Sequence, residues 1–216
     1  MYAAGEGFRH SMTKILALSD MHGILPVLDT TQIDIILIAG DICPTHDHSA
    51  NYQKKWLDVV FYDWCKKLNV PVYLTLGNHD FIDKFDAPKN LHYGTASVIN
   101  DIMLFSYTPP FFNWAWMAPE PQIKSRLEQL LQEHNPAIWL CHGAPYGICD
   151  EVDGKSCGSI SLREAILEHQ PELVICGHLH EGKPYGELGK TKIHNVSVLN
   201  DKYIRYREPT VIEAGN

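Results

Sequence analysis

Five short apolar runs mark out the chain, and polar residues follow each of them. The runs occupy residues 15–18, 35–39, 72–76, 137–141 and 173–176. Each is rich in Ile, Leu or Val, and a glycine directly follows three of them. Runs of this length predict strands that are buried on both faces. Because ligands of α/β proteins bind beyond the carboxyl ends of such strands, we expect the polar residues that follow them to meet at one sheet edge.

Helical spacing appears between the runs. One apolar stripe is formed by Trp56, Val60, Trp64 and Leu68, and a second by Ile123, Leu127, Leu130 and Leu131. Ser161 and Glu164 have the spacing of a capping box, and Pro171 predicts the end of the helix that follows. The alternation of strands and helices predicts βαβ units with right-handed crossovers.

Two further segments predict hairpins. Residues 97–107 and 192–206 are β-rich and contain the turn pairs Asn100-Asp101 and Asn200-Asp201. They indicate a second, more antiparallel sheet. The predicted fold class is therefore α/β, with two mixed sheets flanked by helices in a four-layer α-β-β-α sandwich.

The chain has 216 residues and shows no internal repeat or linker. We therefore expect one domain over residues 13–216, preceded by a disordered leader at residues 1–12. The amino terminus lacks the apolar core of a secretory signal, and no run approaches the roughly 20 apolar residues of a membrane span. A cytoplasmic protein without membrane contact is the resulting prediction.

The net charge and the cysteines exclude some classes of ligand and site. The formal net charge of −8 argues against binding of duplex nucleic acid, but it leaves room for a small phosphate ester held by metal ions. The six cysteines include no Cys-x-x-Cys pair, so neither a zinc site nor a disulfide framework is expected. Cys149 and Cys157 share a loop and could pair under oxidation, although idle thiols are the preferred interpretation.

The residues that follow the five runs are potential metal ligands. They are Asp20, His22, Asp41, Asn78, His142, His178 and His180. This set offers nitrogen and oxygen atoms without a thiolate, which favours Mn, Fe, Zn or Ni over Ca or Mg. Asp41 has two carboxylate oxygens and could bridge two cations. The pattern predicts a polynuclear metal site.

These residues also form a known pattern. The blocks at residues 20–22, 40–41, 77–80, 142 and 177–180 resemble, in order, those of the calcineurin-like metallophosphoesterase superfamily. The resemblance spans about residues 14–203. Residues 142–147, 157–158 and 177–182 are similar to the MPPED-type branch, relatives of the class III cyclic-nucleotide phosphodiesterases. Some members of that branch have Gly at the position of His178, whereas the second metal site of this chain is complete.

The resemblance implies a fold, a metal centre and a reaction. One ion would be held by Asp20, His22, Asp41 and His180, and the other by Asp41, Asn78, His142 and His178. The ions would be divalent or trivalent transition metals, with Mn expected first and Fe, Zn or Ni as alternatives. A hydroxide that bridges them would attack phosphorus. His79 would protonate the departing alkoxide, and Asp80 would orient its ring.

The substrate is less well defined than the metal site. A small phosphodiester is expected from the MPPED-type resemblance alone. A phosphomonoesterase is the first alternative, although residues 42–45 lack the Arg that phosphoprotein phosphatases carry after this Gly-Asp block. A nuclease and an inactive metal-binding interaction scaffold are further alternatives. The acidic charge disfavours the first, and the complete ligand set disfavours the second.

Two other segments have two possible interpretations each. Residues 46–48 read His-Asp-His and are expected to form a solvated loop near the site, with contact to substrate as the alternative. The aromatic segment at residues 111–117 is expected to pack over the edge of the domain or into a homodimer contact. Its alternative is a platform for a nucleobase or aryl group.

Overall fold

The computed structural model describes residues 12–110 and 114–215. The strands are β1 (Thr13–Leu18), β2 (Ile35–Ile38), β3 (Val72–Thr75), β4 (Leu91–Gly94), β5 (Ala96–Ile99), β6 (Ile102–Phe105), β7 (Ile138–Cys141), β8 (Glu151–Val152), β9 (Lys155–Ser156), β10 (Leu173–Cys176), β11 (Tyr185–Leu188), β12 (Thr191–Asn195) and β13 (Thr210–Ala214). The helices are α1 (Ala50–Trp56), α2 (Tyr62–Lys66), α3 (Glu120–Glu133) and α4 (Ile160–His169), and the π-helical segment Leu57–Phe61 joins α1 to α2. The predicted leader, apart from Met12, lies outside the described residues.

Two mixed sheets contain the five predicted strands. The first sheet has the order β13-β1-β2-β3-β4, and the second has the order β11-β12-β10-β7-β6-β5. The predicted runs form β1, β2 and β3 in the first sheet and β7 and β10 in the second, and in each sheet they pair in parallel with one another. Their residues are almost all buried, as continuous apolar sequence predicts for parallel strands.

The two sheets pack face to face between helices. Side chains of β1 alternate, so that Ile15 and Ala17 join an apolar cluster with Leu140 and Ile175 of the second sheet. The opposite face of the first sheet packs against α1 and α2, and the opposite face of the second packs against α3 and α4. The predicted four-layer sandwich is confirmed. No helix in the described ranges is long and apolar enough to cross a membrane.

The buried face of the first helical segment differs from the predicted stripe. Val60 is 41% exposed, whereas the neighbouring Phe61 is fully buried. The buried positions are Gln53, Leu57, Phe61, Tyr62, Cys65 and Leu68, with Trp56 and Trp64 partly buried beside them, so three of the four stripe residues contact the core. A four-residue repeat drifts by about 40° per step around an α-helix. The wider π-helical turn offsets part of this drift and keeps the shifted set on one face.

The apolar stripe of α3 and the end of α4 are as predicted, but the N-cap of α4 is not. Ile123, Leu127 and Leu131 of α3 are buried, and α4 ends just before Pro171. The capping box expected from Ser161 is wrong, because Ser159 is the N-cap of α4. Its Oγ accepts a hydrogen bond from the backbone N–H of Leu162 at 3.1 Å.

The first predicted hairpin is confirmed. β5 and β6 are antiparallel, and both turn residues, Asn100 and Asp101, have positive φ angles of 50° and 64°. The hairpin predicted at residues 192–206 is wrong. β12 instead pairs antiparallel with the preceding β11. The Asn200-Asp201 turn is closed by the bridge between Leu199 and Arg205, and the backbone N–H of Tyr206 donates to the carbonyl of Val198 at 3.1 Å.

The chain beyond β12 is used to join the two sheets. The backbone N–H of Ser19, just after β1, donates to the carbonyl of Val196 at 3.0 Å, and the N–H of Val198 donates to the carbonyl of Ser19 at 3.1 Å. The carbonyl of Val196 and the N–H of Val198 therefore bond to Ser19, whereas the predicted hairpin would have paired them with the segment after the Asn200-Asp201 turn. They also bring Ser197 next to the polar residues that follow β1.

Candidate metal centre

The predicted ligands lie at the carboxyl ends of strands from both sheets. Asp20 and His22 follow β1, Asp41 follows β2, Asn78 follows β3, His142 follows β7, and His178 and His180 follow β10. Two groups of these side chains offer ligand atoms that all lie within 4.8 Å of one another: Asp20 with His22 and His180, and Asp20 with Asp41 and His142. The sheet edge therefore collects carboxylates and imidazoles from distant parts of the chain.

The first group has a geometry that suits one cation. The Nε2 atoms of His22 and His180 are 3.4 Å apart, and the Nε2 of His180 lies 3.4 Å from Oδ1 of Asp20. The Nε2 of His22 lies 3.8 Å from Oδ2 of Asp41. Ligand atoms about 2.0–2.2 Å from a shared transition-metal ion are separated by distances of this size. The residues present therefore fit a metal ion.

The second group includes two acceptors that face each other. His142 donates from Nδ1 to the carbonyl of Ala39 at 2.7 Å, so its neutral ring presents the Nε2 lone pair. That nitrogen lies 2.9 Å from Oδ1 of Asn78 and 3.6 Å from Oδ2 of Asp41. A cation would satisfy all three atoms, which is the chemistry expected of an oxygen- and nitrogen-based metal site.

His178 joins the site through both its backbone and its ring. Its backbone N–H donates to Oδ2 of Asp20 at 3.0 Å, and its ring centroid is 5.0 Å from that of His142. Asp20 is held further by Ser197, whose hydroxyl donates to Oδ2 at 2.6 Å. His178 thus lies beside the second group, as the resemblance implies, while Asp20 lies close to both groups.

Burial keeps most of the imidazoles neutral. It lowers the pKa of His22 and His178 well below the usual value and lowers that of His142 as well. For His180, burial also acts to lower the pKa, but the charge of Asp20 and a hydrogen bond to it outweigh burial and raise the pKa. Neutral rings offer the lone pair that a metal needs, so three of the four histidines are prepared as ligands.

The carboxylates respond to burial and to each other. Burial raises the pKa of Asp41 well above its usual range, and the charges of Asp80 and Asp20 raise it further. Burial also acts to raise the pKa of Asp20, but His180 outweighs it and the pKa lies below the usual range. A bound cation would relieve the repulsion between these buried acids.

Two glycines allow the loops to approach so closely. Gly40 has a φ of +90°, and a Cβ there would lie 2.7 Å from Nδ1 of His142. A Cβ at Gly77 would lie 2.2 Å from Oδ1 of Asp41. A side chain at either position would displace a predicted ligand, which explains why these strands end in glycine.

The carboxylate of Asp80 is hydrogen-bonded to backbone groups and not to the ring of His79, which it was expected to orient. Its carboxylate accepts hydrogen bonds from the backbone N–H groups of Ile42 at 3.0 Å, Cys43 at 2.9 Å and Gly77 at 2.8 Å. No hydrogen bond described for this carboxylate reaches the ring of His79. Asp80 instead joins the loop after β2 to the loop after β3.

The surroundings of His79 include residues that sequence analysis did not assign to the site. Its Nδ1 lies 3.3 Å from Nε2 of His48, and its ring centroid is 4.1 Å from that of Trp114. The fully buried Gln53 donates to the carbonyl of His79 at 2.7 Å and accepts from the N–H of Phe81 at 2.7 Å. A polar residue on the apolar face of α1 was the available signal for Gln53.

An open cleft lies above the predicted ligands. Besides Asp41, Asn78, His79, His178 and His180, its lining consists of Trp114, Val152, Leu179, Glu181, Asp201 and Tyr203. The ring of Tyr203 lies edge-on to that of His22, with centroids 4.7 Å apart. Neither Lys nor Arg occurs among the described lining residues. The mouth of the cleft is therefore aromatic and acidic.

Of the aromatic segment, Trp116 packs against the domain as expected, whereas Trp114 does not. The indole N–H of Trp116 donates to the carbonyl of Asp80 at 2.8 Å, and its side chain packs against the outer core of the first sheet. Trp114 faces the cleft. Phe111 and Phe112 lie outside the described residues.

The chain is similar to curated proteins over part of its length. It is 32% identical over 112 residues to metallophosphoesterase domain-containing protein 1 of Homo sapiens, and equally so to that of Mus musculus. The match covers 50% of this chain and 33% of each relative. The matched region thus spans about a third of the length of these relatives.

Solved structures share the fold. Phosphopantetheinyl hydrolase from Mycobacterium tuberculosis superposes with a TM-score of 0.58 at 15% identity, covering 94% of this chain and 96% of that chain. TT1561 of Thermus thermophilus superposes with a TM-score of 0.56 at 16% identity, covering 86% of this chain and 89% of that chain.

A family model covers most of the sandwich and all the predicted ligands. It is that of the calcineurin-like phosphoesterases, and it matches residues 13–182. The relatives, the two-sheet fold and the grouped ligand atoms agree with this match. The chain therefore belongs to the calcineurin-like phosphoesterase family.

Proposed function

We propose that this chain is a metal-dependent phosphoesterase that binds two transition-metal ions and hydrolyses a small phosphodiester. The observation that carries the proposal is the meeting of imidazoles and carboxylates from both sheets, with Nε2 of His22 and His180 3.4 Å apart. Family membership supports the hydrolytic class. Mn is the first candidate metal, and Fe, Zn and Ni suit the same atoms.

The ligand atoms divide into two sets around Asp41. Asp20, His22 and His180 would hold one ion, and Asn78, His142 and His178 the other. Oδ2 of Asp41 faces His22 at 3.8 Å and His142 at 3.6 Å, so this carboxylate lies between the sets. Bound ions at such a site supply positive charge that acidifies water and neutralises phosphate oxygens.

His79 is the proposed general acid. It lines the cleft, and burial, reinforced by the charges of His48 and His142, lowers its pKa to about 4. A phosphate anion beside the ring would favour its protonated form, from which a departing alkoxide can take the proton. His79→Asn should therefore slow hydrolysis of esters with poor leaving groups. Full turnover of such an ester by the metal-loaded variant would contradict this role.

The charge of the cleft favours a diester over a monoester. Glu181 and Asp201 stand at its mouth, and no described lining residue is Lys or Arg. A diester carries one negative charge, whereas a monoester carries up to two near neutral pH and would meet more repulsion from these acids. The MPPED-type resemblance also favours a phosphodiester substrate.

One comparison tests the proposal and its alternatives. The purified protein would be stripped of metal, loaded with Mn, Fe, Zn or Ni, and assayed with bis(4-nitrophenyl) phosphate, 4-nitrophenyl phosphate, 2′,3′- and 3′,5′-cyclic nucleotides and single-stranded DNA. We expect metal-dependent turnover that is faster on the diesters, and its loss in His142→Ala. Faster turnover of the monoester, or cleavage of DNA alone, would replace the diester proposal.

A protein that binds metal but hydrolyses none of these compounds would fit the scaffold alternative. The division into a leader and one domain, the cytoplasmic location and the homodimer expected from the sequence stay predictions. Gel filtration coupled to light scattering measures the last of them directly.

A further inference from the structure

A tyrosine lies over one of the two predicted ligand sets. The ring of Tyr203 is edge-on to the rings of two predicted ligands, with centroids 4.7 Å from that of His22 and 5.9 Å from that of His180. Tyr203 also lines the cleft above the metal centre. A side chain in this position meets whatever the metal centre binds.

The turn that carries Tyr203 is attached to the predicted ligand His180. Nδ1 of His180 donates to the carbonyl of Asn200 at 2.9 Å, and the hydroxyl of Tyr206 donates to the carbonyl of His180. Oδ1 of Asn200 accepts from the N–H of Lys202 at 3.0 Å. The position of Tyr203 is therefore fixed relative to that of His180.

The backbone of Tyr203 has a conformation that its side chain disfavours. Its φ angle is 56°, in the left-handed region, and its N–H donates to the carbonyl of Asn200 at 2.9 Å. Gly or Asn would adopt this conformation more easily than a bulky aromatic residue. Residues held in this way cluster at sites that bind ligands or act on them. The strain therefore indicates a use for the side chain of Tyr203.

The hydroxyl of Tyr203 is open to a ligand. It forms no hydrogen bond with another part of the described chain, and the residue is 39% exposed. Burial raises the pKa of Tyr203, and the charges of Asp41 and Asp20 raise it further, so these carboxylates lie near the hydroxyl. A phenol near neutral pH carries its proton and can donate it to an acceptor.

A phosphate ester in this cleft needs neutral hydrogen-bond donors. The described lining has neither Lys nor Arg, and it includes Glu181 and Asp201. Charge on the non-bridging oxygens must then be stabilised by metal ions and by neutral donors. The rings of His79 and Tyr203 both contact that of His22, with centroids 4.9 and 4.7 Å away, so the proposed general acid and Tyr203 are one imidazole apart.

We propose that Tyr203 is a catalytic residue whose hydroxyl donates a hydrogen bond to a non-bridging oxygen of the substrate phosphodiester. This inference rests on the proposed function for the reaction. His79 serves the leaving group, whereas Tyr203 serves an oxygen that every phosphodiester has. Tyr203→Phe removes the hydroxyl and keeps the ring. Tyr185→Phe, at an exposed position of β11 outside the cleft lining, is the matched control.

Binding of inorganic phosphate tests the contact without turnover. Isothermal titration calorimetry of the Zn-loaded proteins measures its Kd, at equal metal content and after a check that Tm is unchanged. We expect Kd to rise by about tenfold or more in Tyr203→Phe, because a hydrogen bond to a charged group contributes on the order of 10–100-fold in affinity. Tyr185→Phe should keep the wild-type Kd. Equal Kd values for the wild type and Tyr203→Phe would overturn the proposal.

A comparison of leaving groups separates Tyr203 from His79. Tyr203→Phe should lower kcat/KM by about tenfold or more on both an alkyl diester and a 4-nitrophenyl diester, since both have the same non-bridging oxygens. His79→Asn should act mainly on the alkyl diester, which needs protonation of its leaving group. If Tyr203→Phe loses activity on the alkyl diester alone, or on neither, the assigned contact is wrong.

Loading with Fe³⁺ tests whether Tyr203 is instead a metal ligand. A tyrosinate bound to Fe³⁺ has a charge-transfer absorption band in the visible range. We expect the Fe-loaded wild type and Tyr203→Phe to have the same visible spectrum. A band that disappears in Tyr203→Phe would show coordination and overturn the proposal.

The failures of the two proposals are distinguishable. A wild-type protein that hydrolyses neither diester would overturn the proposed function, and the phosphate titration would still decide whether Tyr203 contacts a bound phosphate. An active phosphodiesterase whose phosphate affinity does not depend on the Tyr203 hydroxyl would keep the proposed function and overturn the role of Tyr203.

Discussion

Four of the predicted metal ligands have left-handed backbone conformations. The φ angles are 55° at Asp20, 44° at His22, 52° at Asp41 and 67° at His178. Asp and His are among the non-glycine residues that tolerate this region best, and each such residue costs on the order of 1–3 kcal/mol. The conformation turns the chain sharply at the strand end, so that the side chain points back to the sheet edge. Residue types suited to metal binding are therefore also suited to these turns.

Asp80 is expected to act on stability rather than on the ring of His79. Its buried carboxylate accepts from backbone N–H groups of two loops. Asp80→Asn replaces one acceptor oxygen by a donor and should lower the free energy of unfolding by about 2–4 kcal/mol. Urea unfolding of the metal-free protein measures this loss. Asp83→Asn, at an exposed position of the same loop, should cost less than about 0.5 kcal/mol.

A kinetic measurement would contradict the structural role of Asp80. If Asp80→Asn keeps its stability but lowers kcat selectively on diesters with poor leaving groups, then Asp80 acts on His79 as the resemblance implies.

Acid should destabilise the metal-free protein. Burial lowers the pKa of five imidazoles, those of His22, His79, His142, His178 and His194. Below about pH 6.5 the unfolded chain protonates these rings, whereas the folded protein does not, so the free energy of unfolding falls as pH falls. The raised pKa values of Asp41, Asp80 and His180 oppose this trend but involve fewer groups.

The expected slope is about 1.4 kcal/mol per pH unit for each net proton taken up on unfolding. Urea unfolding in chelator at pH 6.5, 6.0, 5.5 and 5.0 measures it. Constant or rising stability over this range would show that the rings are not kept neutral by burial.

Strands were easier to predict than helix faces or loops. A buried parallel strand needs only a continuous apolar run, and all five predicted runs form strands with at most two residues of difference at either end. The face of the first helical segment was wrong at Val60, because the π-helical turn Leu57–Phe61 shifts the register there, and no local pattern signals it. The hairpin at residues 192–206 was wrong because Val196 and Val198 bond to Ser19, a residue far away in the sequence.

At the candidate site, too, local sequence pattern predicts some residues and long-range packing determines the others. The predicted ligands follow strands, and neighbouring parallel strands bring their carboxyl ends together, so their meeting could be predicted. The contacts of His48 and Gln53 join residues 31 and 26 positions apart through side chains. Such contacts depend on how a loop and a helix pack against the sheet. Sequence periodicity carries no information about them.

The shifted helix face leads to a paired prediction. Phe61 is fully buried and stacks with Trp56 and Trp64, whereas Val60 is 41% exposed. Phe61→Ala should lower the free energy of unfolding by about 3–5 kcal/mol, and Val60→Ala by less than about 1 kcal/mol. Urea denaturation of both variants at fixed metal content measures the difference. A larger loss for Val60→Ala would restore the originally predicted stripe and exclude the π-helical turn.

The candidate metal centre lies where the two sheets meet. The first sheet contributes Asp20, His22, Asp41 and Asn78, and the second contributes His142, His178 and His180. Short distances cross the junction: 3.4 Å between Nε2 of His22 and His180, and 3.6 Å between His142 and Asp41. Without a cation, this junction combines buried acids with lone pairs that face each other. Metal binding should therefore stabilise the packing of one sheet on the other.

Metal removal should lower the thermal stability of both sheets together. A ligand present at about 100 times its Kd stabilises a folded protein by about 2.7 kcal/mol, which corresponds to roughly 5–10 °C in Tm for a protein of this size. Calorimetry with chelator and with Mn should show one transition that moves by this amount. His22→Ala and His142→Ala, one from each sheet, should each reduce the shift, because the two ion positions share Asp41. His134→Ala, exposed at the end of α3, should keep it. Two separate transitions, or a shift that survives both ligand substitutions, would mean that the ions do not join the sheets.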